Sequence, residues 1–182
     1  LEEGKLYASN IITLAGWCAK FKMKTCMTIE KDDHYAILSA IKKISGETDA
    51  VITSGGAWTG DHDMVVRVLE ELGWKEVFHR IRIGPGKAVG FGILNNKPVF
   101  ILPGGPPSNL MGFLQIALPG LLALSGHENP RLLTISARLA SDVRECEPDW
   151  SDFFFGKLEF NDGLPVFYPM KKRSRFKSIA DA

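Results

Sequence analysis

The stretch VITSGGAWTGDHD, residues 51–63, decides the fold class. Hydrophobic and β-branched residues run into Gly55 and Gly56, and Asp61 and Asp63 stand at the mouth of a segment with helical spacing. A strand that passes through a glycine-rich loop into a helix is the building unit of α/β folds. Such a loop has two interpretations. It brings backbone N–H groups close to a phosphate, or it is only a corner whose backbone angles require glycine.

Outward from this stretch, strands and helices alternate along the chain. Helical spacing predicts helices at 9–22, 34–45, 63–73 and 107–126, and apolar runs predict strands at 24–30, 50–56, 75–83, 89–94 and 98–102. Ser9, Asp32 and Asp33 are candidate caps, and Gly46 and Gly73 are candidate helix ends. The alternation with short loops predicts a three-layer α/β fold with a mainly parallel sheet.

The length and composition fit a globular protein of one domain, or of one domain and part of a second. The chain has 182 residues with 45% hydrophobic and 24% charged residues, and its net charge is +1. This balance does not favour a nucleic-acid partner. The three scattered cysteines argue against a disulfide framework and a zinc site and favour a cytoplasmic location. We expect no membrane segment, since no apolar run reads as long enough.

The pattern changes at residues 127–130. Beyond this point only short β-like stretches follow (RLLTISARLA, FFFGKLEF and PVFYPM), with no helical period. We therefore predict an α/β domain over residues 1–126 and a small all-β domain, here only in part, over 131–182. The FFF run at 153–155 reads as buried sheet.

The candidate ligand site lies beyond the carboxyl ends of the strands, where ligands bind in open α/β sheets. Each loop there is open to the alternative of a plain strand-to-helix turn, but two glycine-rich loops on one sheet favour a site. Carboxylates beside such loops suit Mg²⁺, which bridges carboxylate and phosphate oxygens. A fixed lysine suits an anion site, and Lys87 lies in a glycine-rich turn. The loop residues assigned to ligand binding are Ser54, Gly55, Gly56, Thr59, Gly60, Pro103, Gly104, Gly105, Pro106 and Ser108.

Three segments together resemble one family. DAVITSGGAWTGDHD, GPGKAVGFG and KPVFILPGGPPSNLMGF resemble the motifs of the molybdopterin-binding domain, and most closely those of the molybdenum insertases, the molybdopterin molybdenumtransferases. LYASNIITLAGW and KDDHYAIL resemble the same family, so the resemblance covers residues 1–126 in order. It implies that the domain's own first strand is absent and that residues 131–182 correspond to the start of the family's C-terminal β domain.

The resemblance implies a reaction and a set of roles. Such enzymes bind adenylylated molybdopterin, release AMP in a reaction that needs Mg²⁺ and molybdate, and act as homodimers. Asp32, Asp63 and Lys87 match the catalytic positions, with both aspartates as metal ligands. Ser108 and Ser174 match positions that face the pterin phosphate and molybdate. Mg²⁺ is thus the expected cofactor, and molybdate is a substrate.

The chain departs from the family at several positions. Gly84 stands where a lysine is common, Gly105 where an asparagine is common, Phe155 where an arginine is common, and Ala8 where an acid is common. Loss of two cations weakens an oxyanion site unless Arg80, Arg82 or Arg173 compensates. Three alternatives stay open besides the insertase: a molybdopterin-binding module without turnover, a molybdopterin adenylyltransferase, and a scaffold that reuses the fold to bind a receptor peptide.

Overall fold

Strand–loop–helix units fold around a four-stranded sheet in the computed structural model, which describes residues 8–56, 64–143, 148–160 and 162–170. The chain forms two compact units, the first up to Ile81 and from Ala88 to Gly104, the second from Arg82 to Lys87 and from Gly105 onwards. The elements in chain order are α1 (Ser9–Lys20), α2 (His34–Glu47), β1 (Val51–Ser54), α3 (Met64–Glu71), β2 (Lys75–His79), β3 (Ile83–Gly84), β4 (Gly90–Leu94), β5 (Lys97–Leu102), α4 (Pro106–Gly112), a π-helical turn (Phe113–Ala117), α5 (Leu118–Leu124), β6 (Arg138–Leu139), β7 (Ser151–Asp152), β8 (Gly156–Glu159) and β9 (Val166–Pro169).

The sheet of the first unit has the strand order β1-β5-β4-β2. β1 and β5 are parallel, whereas β4 is antiparallel to both of its neighbours. The predicted α/β class is therefore confirmed, but the expected mainly parallel sheet is mixed among the described strands. The difference comes from the β4–β5 hairpin, whose turn residues Asn95 and Asn96 have φ of 50° and 62°. Two left-handed residues in succession give the type I′ turn that matches strand twist.

One hydrophobic core holds the first unit together. Val68 and Leu69 of α3 are completely buried and belong to the same cluster as Ile37 and Ile41 of α2. Burial of each such side chain contributes about 1.5–3 kcal/mol. The strand side chains that complete the cluster are Val51, Leu94, Val99 and Ile101.

The helix ends agree with the prediction in part. Asp33 caps α2, since its carboxylate accepts a hydrogen bond from the Ala36 N–H at 2.9 Å, and Gly73 follows α3 with φ of 86°. Gly46, however, lies inside α2, which continues to Glu47 and ends where Thr48 turns extended. Ser9 is the first helical residue of α1, so the cap position is Ala8, which makes no side-chain cap hydrogen bond.

The strand predicted at residues 24–30 is wrong for the described chain. These residues pair with no described strand, and Met27 and Ile29 are 51% and 71% exposed. A β-favouring sequence becomes a strand only when a neighbouring backbone supplies its hydrogen bonds. Among the described strands β1 ends the sheet, and residues 24–30 do not pair with its outer edge.

The second unit combines one long helical run with short strands. β3 pairs in parallel with β7, and β6-β9-β8 form a separate three-stranded sheet. The π-helical turn directly precedes the segment that contains Pro119. Proline has no N–H to donate to the preceding turn, and a π-helical turn is a common irregularity where the helical hydrogen-bond pattern changes. Phe153–Phe155 form no strand and are only half-buried, so the prediction of buried sheet there is wrong. The domain boundary predicted between residues 126 and 131 differs from the division into units and stays a prediction.

The helical run from Pro106 to Leu124 is 19 residues long and apolar enough to cross a membrane by length and composition. The prediction that the chain has no apolar run long enough to span a membrane was therefore wrong about length. Half of its apolar stretch is buried, and Phe113, Ala117 and Leu118 have no exposed surface. A buried core helix has the same properties, so this run alone is weak evidence for a membrane segment.

Candidate functional site

The two glycine-rich corners of the first unit meet at the carboxyl ends of β1 and β5. The parallel register aligns Ser54 with Leu102, and the Gly55 N–H donates to the Leu102 carbonyl at 3.0 Å. A methyl group added at Gly104 would lie 3.6 Å from the Gly55 Cα. The sequence prediction that these two loops are neighbours is thus correct.

Glycine at the first corner is required by its backbone angles. Gly55 and Gly56 have φ of 97° and 62°, in the region that side chains with a Cβ disfavour. Among the described residues, a Cβ at Gly55 would meet no atom within 4 Å, so no described neighbour excludes it. The turn therefore uses glycine for its conformation, and the part of the chain that the structure describes leaves room beside Gly55, as a close-approaching ligand needs.

Asn10 is a site residue that the sequence analysis did not assign. It lies in the first turn of α1, and its side-chain amide donates to Ser54 Oγ at 3.3 Å and to the Gly104 carbonyl at 2.9 Å. One side chain thus contacts both glycine corners. The signal in the sequence is its place in LYASNIITLAGW, one of the segments that resemble the family, but that resemblance gave Asn10 no role.

The two aspartates before α2 have different roles. Asp33 is committed to the helix cap, whereas Asp32 is exposed and has no recorded partner among the described residues. His34 Nε2 lies 2.8 Å from Glu71 Oε2, which ties the start of α2 to the end of α3. No described contact joins Asp32 to the glycine corners, so its role in the site stays a prediction.

The segments that carry two other predicted residues, Lys87 and Ser108, are neighbours in the second unit. A Cβ at Gly86, where φ is 124°, would lie 3.6 Å from the Ser108 carbonyl, so the turn that carries Lys87 packs beside Ser108. Lys87 is exposed, and its Nζ lies 5.3 Å from the centre of the Trp150 ring. This distance is in the range of a cation–π interaction, which restrains the ammonium group without neutralising it.

The departure at Gly84 has a structural counterpart. Gly84 pairs with Asp152 between β3 and β7, and a Cβ there would lie 2.8 Å from Asp152 Oδ1. A carboxylate therefore occupies the space that a side chain at this position would enter. Arg82, one of the candidate replacement cations, lies 3.5 Å from Asp149 in an exposed ion pair. Its charge is thus partly matched before any anion binds.

Several predicted residues lie outside the described residues, namely Thr59, Gly60, Asp63, Arg173 and Ser174. Among the described residues, no group of three or more histidine, cysteine, aspartate or glutamate side chains is arranged to hold a metal ion. Mg²⁺ needs fewer protein ligands, since it is usually held by one or two carboxylates together with substrate phosphates. Because Asp33 takes the cap and leaves the Asp32 carboxylate unused, Asp32 fits such a ligand in its chemistry.

Comparison with known proteins agrees with this description. Residues 1–123 match the sequence profile of the family described as "Probable molybdopterin binding domain". The molybdopterin molybdenumtransferase of Haemophilus influenzae is 33% identical over 129 residues, which are 70% of this chain and 32% of that protein. The enzyme of the same name from Bacillus subtilis is 27% identical, over 100% of this chain and 43% of that protein.

A solved structure gives the same result at the level of the fold. The molybdopterin biosynthesis MoeA protein of Pyrococcus horikosii superposes with a TM-score of 0.75 and 31% identity, over 100% of this chain and 44% of that protein. This chain thus spans less than half the length of each of these relatives. The resemblance to the molybdopterin molybdenumtransferases is confirmed over much of its length. The chain belongs to the family of molybdopterin-binding domains.

Proposed function

We propose that this chain is the molybdopterin-binding part of a molybdenum insertase and acts in molybdenum cofactor biosynthesis. Its ligand is adenylylated molybdopterin, from which molybdate-dependent hydrolysis releases AMP. A homodimer and a cytoplasmic location accompany this proposal. The relatives named molybdopterin molybdenumtransferase support the assignment to a transferase.

The observation that carries the proposal is the meeting of the two glycine corners. Gly55–Gly56 and Gly104 lie together at the carboxyl ends of two parallel strands, and one side chain, Asn10, contacts both corners. Glycine corners at this edge of an α/β sheet let backbone N–H groups approach phosphate oxygens. The ligand class is therefore a phosphorylated small molecule, and the family makes it a pterin.

Different residues of the chain supply positive charge, hydroxyl groups and metal ligands to the bound ligand. Lys87 contributes a positive charge to the anionic ligand, and Ser54 and Ser108 offer hydroxyl groups. Asp32 and Asp63 would hold Mg²⁺, which when bound neutralises phosphate charge and polarises the phosphoryl group. Molybdate is a second anion beside the phosphate of the ligand. The site therefore needs positive charge to offset the repulsion between the two anions.

The test is release of AMP from adenylylated molybdopterin. We expect AMP only when molybdate and Mg²⁺ are both present. Release without molybdate would contradict the insertase assignment, and consumption of ATP with free molybdopterin would assign the chain to adenylylation instead.

One observation favours a second candidate, a molybdopterin-binding module without turnover. The Asp152 carboxylate lies beside Gly84, where the resembled family often has a lysine, and a negative charge there disfavours molybdate. Such a module would raise its melting temperature when molybdopterin binds and would release no AMP.

A further inference from the structure

A single side-chain amide connects three elements that are far apart in sequence. Asn10 on α1 donates to Ser54, 44 residues away, and to Gly104, 94 residues away. A primary amide has two N–H groups, so these two contacts use its whole donor capacity. The contact with the Gly104 carbonyl is the shorter, at 2.9 Å, and the contact with Ser54 Oγ is 3.3 Å.

The contact with Gly104 fixes the direction of a peptide group. In a trans peptide the C=O of one residue and the N–H of the next point to opposite sides. Because the Gly104 carbonyl faces Asn10, the Gly105 N–H faces away from it. A loop that binds an anion has to turn its carbonyl oxygens away from the ligand, since like partial charges repel. Asn10 holds one such oxygen in place.

We propose that Asn10 is a positioning residue of this site. It fixes the spacing of the Ser54 and Gly104 corners and the orientation of the Gly104–Gly105 peptide. The identity of the ligand rests on the proposed function, whereas the contact between the corners does not. If Asn10 had a purely structural role, its substitution would change only the free energy of unfolding.

The variants Asn10→Ala and Asn10→Asp test this proposal. The first removes both donors, and the second keeps the size of the side chain but replaces its donors with acceptor oxygens. Thr13→Ala is the matched control on α1, because among the described residues the Thr13 hydroxyl donates only to the Ser9 carbonyl of its own helix. Amide cross peaks of Gly55, Gly104 and Gly105 in ¹H–¹⁵N spectra report the corners without any ligand.

Anaerobic titration with molybdopterin supplies the second measurement. We expect both Asn10 variants to shift the three glycine cross peaks and to bind molybdopterin about tenfold more weakly, the order expected when two hydrogen bonds that hold a loop are lost. Thr13→Ala should neither shift the three glycine cross peaks nor weaken molybdopterin binding.

The two measurements separate the possible failures. Unmoved glycine cross peaks in Asn10→Ala would overturn the contact between the corners. Moved cross peaks with unchanged affinity would overturn the positioning role. A wild-type chain that binds no molybdopterin would refute the proposed function, and the cross peaks would still decide whether Asn10 joins the corners.

Discussion

Replacement of Gly55 by alanine tests whether the first corner needs glycine for its backbone angles. Gly55 has φ of 97°, and a Cβ there would lie within 4 Å of no atom of the described residues. The cost of Gly55→Ala is therefore conformational, without a steric clash. Adopting a left-handed conformation costs a residue with a side chain roughly 1–2 kcal/mol. We expect the free energy of unfolding to fall by about that amount.

Gly46→Ala is the matched control, because Gly46 lies in the same unit and its Cβ position is equally open. Gly46 is inside α2, where alanine is favoured over glycine by about 1 kcal/mol. The same chemical change should therefore stabilise the protein at one position and destabilise it at the other. The two variants should differ in free energy of unfolding by about 2–3 kcal/mol.

Urea denaturation followed by tryptophan fluorescence measures this difference, since Trp74 is buried in the core of the first unit. With an m-value of about 2 kcal/mol/M, the midpoint of Gly55→Ala should fall by about 0.5–1 M, and that of Gly46→Ala should rise by about 0.5 M. A Gly55→Ala protein as stable as the wild type would refute the reasoning. The corner would then tolerate a side chain, and its glycine would have to be explained by the ligand alone.

Three further predictions concern the cap, the lysine and a buried thiol. Asp33→Ala should lower the free energy of unfolding by about 1 kcal/mol, because the cap of α2 is lost. Asp32→Ala should leave the free energy of unfolding unchanged and should weaken Mg²⁺ binding, measured in a titration of molybdopterin binding. Equal losses of stability in the two variants would contradict this division. Trp150→Leu should slow AMP release by up to about fivefold because Lys87 loses its cation–π partner, and Trp150→Phe should retain most of the rate; equal rates in both variants would remove that role. Burial raises the pKa of the Cys18 thiol above its ordinary 9.0, so the folded state keeps the proton longer than the unfolded chain does. The stability gained in this way is present below pH 9.0 and lost above it, and melting curves of Cys18→Ala should lack that decline.

The helices and the corners could be predicted because their signals are local. The 3.6-residue spacing of α2 and α3, the Asp33 cap and the Gly73 stop act within a few residues, and the structure confirms them. The neighbouring placement of the two glycine corners was also predictable. It follows from the general rule that parallel strands present their carboxyl ends at one edge of a sheet.

The pairing of strands could not be predicted from the same signals. Residues 24–30 have a strand-like sequence yet pair with no described strand, and Phe153–Phe155 lie outside the sheets. In both segments the residue types favour a strand, but a strand also needs a second backbone at hydrogen-bonding distance. The sequence of the segment itself does not indicate whether such a neighbouring backbone is present.

The sequence by itself determined the α/β class, the helices, the glycine corners and the family. Only the tertiary structure decided that Asn10 reaches both corners, that Asp33 rather than Asp32 is the cap, and that Asp152 lies beside Gly84. The reason is physical: a backbone preference acts over a few residues, whereas the partner of a polar side chain is chosen by whichever donors and acceptors the folded chain brings within about 3 Å.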